Sequence, residues 1–140
     1  MDEADRAIRN RTYELLVELG RAPASDEVGP GAREAWRRLH DEHALVLDEH
    51  GDPRMLNPFA VAETAHRVET ADGRGWYANC AWDALGVLAA LGQDGRVETS
   101  CLDCGDRIDL EVRDGEPDRS DTLFHCLVPA AHWWDDIVFT

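Results

Sequence analysis

The order in which helix-like and strand-like segments follow one another restricts the fold of this chain more than any other feature of its sequence. Apolar residues recur at helical spacing from about Glu3 to Leu19, and Gly20 follows where a helix would end. The sequence predicts two further helices, over residues 32–43 and 80–91, and allows a short one over Ser25 to Val28. Strand-like segments separate the last two long helices and follow the final one. Helices and strands in this order, joined by short connections, predict an α+β protein.

The strand-like segments are short and flank turns rich in Gly, Asp and Pro. The first hairpin directly follows the second long helix, which predicts a winged-helix-like helical lobe over residues 1–60. The rest of the chain predicts a second lobe over residues 61–140, a small mixed or antiparallel sheet with one main helix, on which the first lobe packs. The predicted strands cover residues 44–47, 55–57, 66–70, 76–79, 96–100, 107–112 and 123–128.

Charge and hydropathy argue against several classes of partner. With 29 acidic and 14 basic side chains the formal charge is -15, which repels a phosphate backbone, so nucleic acid is a poor partner. The first lobe is therefore expected to be structural or to cover a substrate. No apolar stretch approaches the roughly 20 residues that span a bilayer, and the acidic start of the chain does not resemble a secretory signal. We expect a cytoplasmic protein.

All four cysteines lie after residue 79, and in a reducing compartment they are candidates for free thiols, metal ligands or catalytic groups. Cys80 lies where a strand meets a helix, and the positive end of the helix dipole favours a thiolate there. Asp83 follows by three residues, so its carboxyl lies on the same helix face, and the pair predicts a thiolate beside a proton carrier. In the alternative interpretation Cys80 is a small buried apolar residue and Asp83 complements the helix dipole.

A second cysteine motif is Cys101-x-x-Cys104-Gly105, a tight turn that presents two sulfurs to one point. This turn suits a soft metal, a redox or substrate-binding pair, or two inert cysteines. A closed zinc site needs four ligands, so further groups would have to complete it. The candidates are Cys80, Cys126 and His125. His125 and Cys126 lie on the last predicted strand, where neighbouring side chains point to opposite faces, so at most one of them should reach a shared site.

Residues 76–85, with the sequence WYANCAWDAL, followed by residues 96–101 and Gly105, resemble the central region of the organomercurial (alkylmercury) lyase family. The resemblance covers residues 64–113 well, and the first half of the chain is similar to the N-terminal lobe of that family in plan. It implies protonolysis of carbon–mercury bonds, in which two cysteines hold mercury and an aspartate moves protons, with no organic cofactor. Cys80 and Asp83 match the first cysteine and the aspartate.

The resemblance implies a different role for each remaining cysteine. Cys101 matches a cysteine that serves structure in the family. The second mercury-holding cysteine is expected near Thr122, and Cys126 lies a few residues beyond that point, so the second sulfur comes from Cys126 or Cys104. Cys104 is an extra thiol. Soft mercury favours thiolates, two sulfurs make the bound carbon basic enough to be protonated, and Asp83 needs a desolvated setting to hold its proton.

Other functions fit the same residues. In one, the protein is a non-catalytic metal-binding protein in which Cys80, Cys101 and Cys104, with Cys126 as a further candidate, hold zinc or copper(I). In another, it is a regulator or assembly factor whose first lobe binds a partner while the cysteines sense metal or redox state. In a third, the lyase fold acts on another substrate. In each case the expected ligand is a small molecule or a metal ion.

Overall fold

The structure, a computed structural model, describes residues 1–119 and 121–138 as a set of helices and one antiparallel sheet. The predicted α+β class is confirmed. The helices are α1 (Glu3–Leu19), α2 (Ser25–Val28), α3 (Ala32–Asp41) and α4 (Ala81–Leu91), and a 3₁₀ helix covers Ala130–Asp135. The strands are β1 (Val46–Leu47), β2 (Pro53–Leu56), β3 (Phe59–Ala60), β4 (Arg67–Thr70), β5 (Gly75–Ala78), β6 (Gly95–Ser100), β7 (Arg107–Arg113) and β8 (Glu116–Pro117).

Helices α1 and α3 pack against each other through their apolar faces. The side chain of Asp2 caps α1 by accepting from the backbone N–H of Asp5 at 2.8 Å, which satisfies a helix donor that has no partner within the helix. Trp36 of α3 is fully buried, and its indole N–H donates to the Thr12 hydroxyl of α1 at 2.9 Å. This hydrogen bond satisfies a donor that burial would otherwise leave without a partner.

The sheet has the strand order β1-β2-β3-β5-β4-β6-β7-β8, and every neighbouring pair among the described strands is antiparallel. The hairpin β1–β2 therefore belongs to the same sheet as the later strands. The predicted lobe boundary at residue 60 falls at the end of β3, inside this sheet. The division into two lobes and the winged-helix shape of the first stay predictions.

Helix α4 covers one face of the sheet and forms the core with it. Val68 of β4 and Val97 of β6 pair across the sheet, and both are fully buried, as is Val87 of α4. Gly95 lies at the start of β6, where a Cβ atom would stand 2.3 Å from the carbonyl oxygen of Glu69. Only glycine allows the two strands and α4 to approach this closely. No described helix is long and apolar enough to cross a membrane.

The predicted strand over residues 123–128 is wrong. Residues 122–126 have no regular structure, and the side chains of Leu123 and Leu127 are 90% and 78% exposed. The physical reason is the lack of a partner, because the free edge of β7 is already paired with β8, which directly follows it in the chain. A strand without a neighbour gains no ladder hydrogen bonds, whatever its pattern of side chains.

Candidate functional site

Cys80 lies at the junction between β5 and α4. Its backbone is extended, with φ -148° and ψ 177°, and it occupies the capping position just before the helix. The sulfur accepts a hydrogen bond from the backbone N–H of Asp83 at an Sγ–N distance of 3.4 Å. Cys80 thus performs the capping role that serine, threonine or aspartate usually has, and its sulfur is held at the N-terminal end of α4.

Burial dominates the protonation of Cys80 and Asp83, both of which are partly buried. Burial raises the pKa of the Cys80 thiol, and this effect is larger than the lowering caused by the hydrogen bond from the N–H of Asp83. The carboxylate of Asp83 raises the pKa of Cys80 further. Burial also raises the pKa of Asp83 above its ordinary value, although hydrogen bonds from Asn79 and Cys80 act against the change. Burial thus opposes the thiolate that the N-terminal end of α4 favours, and a thiolate at Cys80 stays a prediction.

An amide side chain next to Cys80 links Asp83 to a distant loop. The Asn79 amide nitrogen donates to Asp83 Oδ2 at 3.2 Å and to Asn57 Oδ1 at 2.9 Å, and lies 3.3 Å from the carbonyl oxygen of Pro58. An amide has two protons for these three acceptors, so the bond to Asp83 is shared. The Asn57–Pro58 peptide bond is cis.

Helix α1 reaches the same site through Tyr13. Its hydroxyl donates to the backbone carbonyl of Asn57 at 3.1 Å. Burial raises the pKa of Tyr13, and the negative charge of Asp83 adds to the rise, so the phenol stays neutral near the carboxyl group. Sequence reasoning missed Tyr13, Asn57 and Asn79. Asn79 adjoins Cys80 and could have been noticed, but 44 residues separate Tyr13 from Asn57, and no local pattern signals that contact.

Cys80 and Cys101 lie at the same end of the sheet. Both β5 and β6 run antiparallel to β4, which lies between them, so their carboxyl ends meet at one edge. Neighbouring strands are about 4.8 Å apart, which places the backbones of Cys80 and Cys101 about 10 Å from each other. His66 at this edge is buried, and its Nδ1 lies 2.6 Å from the Thr99 hydroxyl. Burial lowers the pKa of His66, so its ring is neutral.

The cysteine turn, residues 101–106, is fixed by its backbone. The N–H of Cys101 donates to the carbonyl of Asp106 at 2.8 Å, and the N–H of Gly105 donates to the carbonyl of Cys101 at 2.8 Å, with Gly105 at φ +77°. The N–H groups of Cys104 and Asp103 and the Cys104 thiol all hydrogen-bond to the Cys101 sulfur and lower its pKa. The N–H of Asp106 acts to lower the pKa of Cys104, but the thiol bond to Cys101 and the Asp106 carboxylate outweigh it and raise that pKa.

Cys126 is exposed, and its thiol donates to the carbonyl of Val128 at 2.9 Å. The segment that carries it contacts α4, because the ring of Phe124 lies 5.7 Å from that of Trp82 between centroids. All four cysteines are free thiols. Among residues 1–119 and 121–138, no three His, Cys, Asp or Glu side chains are grouped so that they could hold a metal ion. The cysteines therefore do not converge into one closed site in this conformation.

The C-terminal segment also contacts the N-terminal helices. The ring of Trp134 stacks on that of His43, just after α3, with centroids 3.9 Å apart and planes 6° from parallel. The indole N–H of Trp133 donates to the carbonyl of Val128 at 2.8 Å. Residues 124–134 therefore run from the start of α4 to the end of α3.

A comparison with protein families gives a match to MerB, alkylmercury lyase, over residues 59–140, a range that includes all four cysteines and Asp83. Ten chains of solved structures match as well. One is the crystal structure of the mercury-bound form of MerB2, with 19% sequence identity and a TM-score of 0.63. The similarity covers 85% of this chain and 60% of that chain, and at this identity it concerns the fold. No curated protein matches.

Proposed function

Because this chain belongs to the alkylmercury lyase family, we propose that it cleaves carbon–mercury bonds by protonolysis, with Cys80 as the first mercury ligand and Asp83 as the proton carrier. The observation that carries the proposal is the position of these two groups. A partly buried thiol just before α4 and a carboxyl group with a raised pKa in its first turn lie three residues apart in the chain. A carboxyl group that takes up a proton readily in a desolvated setting is what proton transfer to carbon needs.

The first step joins the substrate to Cys80. The Cys80 thiol gives its proton to the Asp83 carboxylate, the sulfur forms a bond to mercury, and the anion bound to mercury leaves. The two side chains lie close enough for each to shift the pKa of the other, and this proximity provides the proposed path for that proton. Mercury stays in the +2 state, and the proton needed for cleavage now lies on Asp83, beside the organic group.

The second step breaks the carbon–mercury bond. A second cysteine releases its thiol proton to solvent and its sulfur binds mercury. Electron density then moves onto the carbon, and Asp83 returns its proton to that carbon, which releases the hydrocarbon and leaves Hg(II) on two sulfurs. We propose Cys126 as the second ligand, because Phe124 holds its segment against the first turn of α4. Its thiol must first release the carbonyl of Val128.

The hydrogen-bond network around Asp83 sets the carboxyl group in place. Asn79 donates to it, and the same amide is anchored to Asn57, whose carbonyl accepts from Tyr13. Residues 1–60 thus contribute a helix to the site, which supports the proposal that they form a winged-helix-like lobe covering the substrate. The ligand is a small organomercurial. The chemistry needs reduced thiols, which a cytoplasmic location supplies.

The test is hydrocarbon release from a simple organomercurial in the presence of excess small thiol. We expect Cys80→Ser to abolish release and keep the fold, because serine also caps a helix. We expect Asp83→Ala to lower the rate by about 10²–10⁴-fold, the usual contribution of a general acid. Asp26→Ala is the matched control, since Asp26 is an exposed acid in the first turn of α2. Release by Cys80→Ser at the wild-type rate would exclude the proposed function.

A further inference from the structure

The backbone of the cysteine turn holds two thiols three residues apart in one closed loop. The N–H of Cys101 donates to the carbonyl of Asp106, and the N–H of Gly105 donates to the carbonyl of Cys101, each at 2.8 Å. These bonds fix the backbone that carries both thiols before any ion arrives. Cys101 is partly exposed and Cys104 is exposed, so an ion reaches both from solvent.

The number of ligands limits which ion this turn can hold. Zinc in a structural site takes four protein ligands in a tetrahedron. No group of three His, Cys, Asp or Glu side chains is available for a metal ion in the described part of the chain, so the turn offers a pair of thiols alone. Two thiolates complete the coordination of a soft ion that accepts two ligands, and Hg(II) is such an ion.

The turn is separate from the site at Cys80. The two lie at the same end of the sheet, but β4 stands between the strands that carry them, and the backbones of Cys80 and Cys101 are about 10 Å apart. The turn therefore lies on the same edge of the sheet as Cys80 but on a different strand, and it offers two sulfurs of its own.

We propose that Cys101 and Cys104 form a two-thiolate site for inorganic Hg(II), the product of the cleavage reaction. The choice of ion rests on the proposed function, whereas the pairing of the two sulfurs rests on the turn itself. Binding forms two Hg–S bonds, breaks the two bonds that held the ion to its previous ligands, and releases the thiol protons to solvent. Mercury remains in the +2 state throughout, and no oxidant or reductant takes part.

The experiment measures binding of HgCl₂ to the full chain in which Cys80→Ser and Cys126→Ser leave only the turn cysteines. We expect one Hg(II) per monomer, seen as a mass increase of the intact protein, in the presence of about 0.1 mM of a small monothiol. Two thiols in one turn act at an effective concentration on the order of 1 mM, so adding Cys104→Ser should lower the retained Hg(II) by roughly tenfold or more. Circular dichroism of each variant shows whether the sheet is retained.

Three results would overturn the proposal. The first is no retention of Hg(II) by the folded double variant. The second is equal retention with and without Cys104. The third is retention of Zn(II) in place of Hg(II) under the same competition. None of these results bears on hydrocarbon release, because the chain used for binding lacks Cys80. Failure of the product site and failure of the proposed lyase function are therefore distinguished.

Discussion

Replacing Asp83 with asparagine should affect activity and stability in opposite directions. Asparagine keeps the shape of the side chain and can accept from Asn79, as Asp83 does at 3.2 Å, but it cannot carry a proton. Loss of a proton carrier lowers the rate by about 10²–10⁴-fold, which corresponds to about 3–5 kcal/mol in the activation barrier. We measure it as hydrocarbon release in a single turnover after the organomercurial is bound to Cys80.

The stability of the folded chain should rise in the same Asp83→Asn variant at neutral pH. Burial raises the pKa of Asp83 above 3.8, so the folded chain binds the proton more tightly than the unfolded chain does. The stability that this proton contributes is fully present below the pKa that Asp83 has in the unfolded chain. It is lost as the pH rises through the higher pKa that Asp83 has in the folded chain. At pH values above the raised pKa, the wild type holds Asp83 as a poorly solvated carboxylate with one shared amide donor. Replacing this charged group with the neutral amide of asparagine should stabilise the fold by about 0.5–1 kcal/mol.

Urea unfolding of both proteins at several pH values from 3 upward tests this reasoning. The difference in the free energy of unfolding should grow in favour of the variant as pH rises, and then level off. A second measurement uses chains in which Cys80 is the only cysteine. Because the Asp83 carboxylate raises the pKa of Cys80, alkylation of that thiol should begin at lower pH in the variant. A variant that releases hydrocarbon within tenfold of the wild-type rate, or whose stability has the wild-type dependence on pH, would refute the assigned role.

Three further substitutions test the surroundings of the site. Thr12→Val leaves the indole N–H of Trp36 buried without an acceptor and should lower the free energy of unfolding by about 1–3 kcal/mol in urea titrations, whereas a loss below about 0.3 kcal/mol would contradict that contact. Gly95→Ala puts a methyl group 2.3 Å from a β4 carbonyl and should cost at least about 1–3 kcal/mol, so a stable variant would show that the strands can separate there. Asn79→Ala removes a hydrogen bond that lowers the pKa of Asp83, so the acidic limb of the pH–rate profile should move to higher pH, and an unchanged profile would argue against the link.

Local patterns in the sequence predicted the elements whose stability is local. Helices α1 and α4 end at Gly20 and Gly92, both with positive φ, where the periodic apolar pattern also ends. The two-residue strand β3 was not predicted, because Phe59–Ala60 becomes a strand only through its pairing with β2 and β5. The error at residues 123–128 also comes from strand pairing, since that segment pairs with no strand of the sheet.

The candidate site follows the same division between local and tertiary effects. The proximity of Cys80 to Asp83 follows from helical spacing, and the sequence predicted it. The pKa of Cys80 depends on its burial in the folded chain, which a helix-dipole argument does not include. The contact of Tyr13 with Asn57 arises because α1 packs over the loop before β3, and only the fold reveals it.

The contrast between the two sulfur environments bears on how the proposed cleavage and the proposed release of the metal could share one small chain. In the proposed mechanism, burial at Cys80 holds the proton on sulfur until mercury displaces it, and the proton then passes to Asp83, where it is available for the carbon. A thiolate already ionised in solvent would bind mercury equally well but would deliver no proton. In the cysteine turn the backbone N–H groups favour the thiolate of Cys101 near solvent, which suits an ion that must be passed on. Exchanging the two environments would weaken both functions, since proton transfer needs exclusion of water and release of the ion needs access to it.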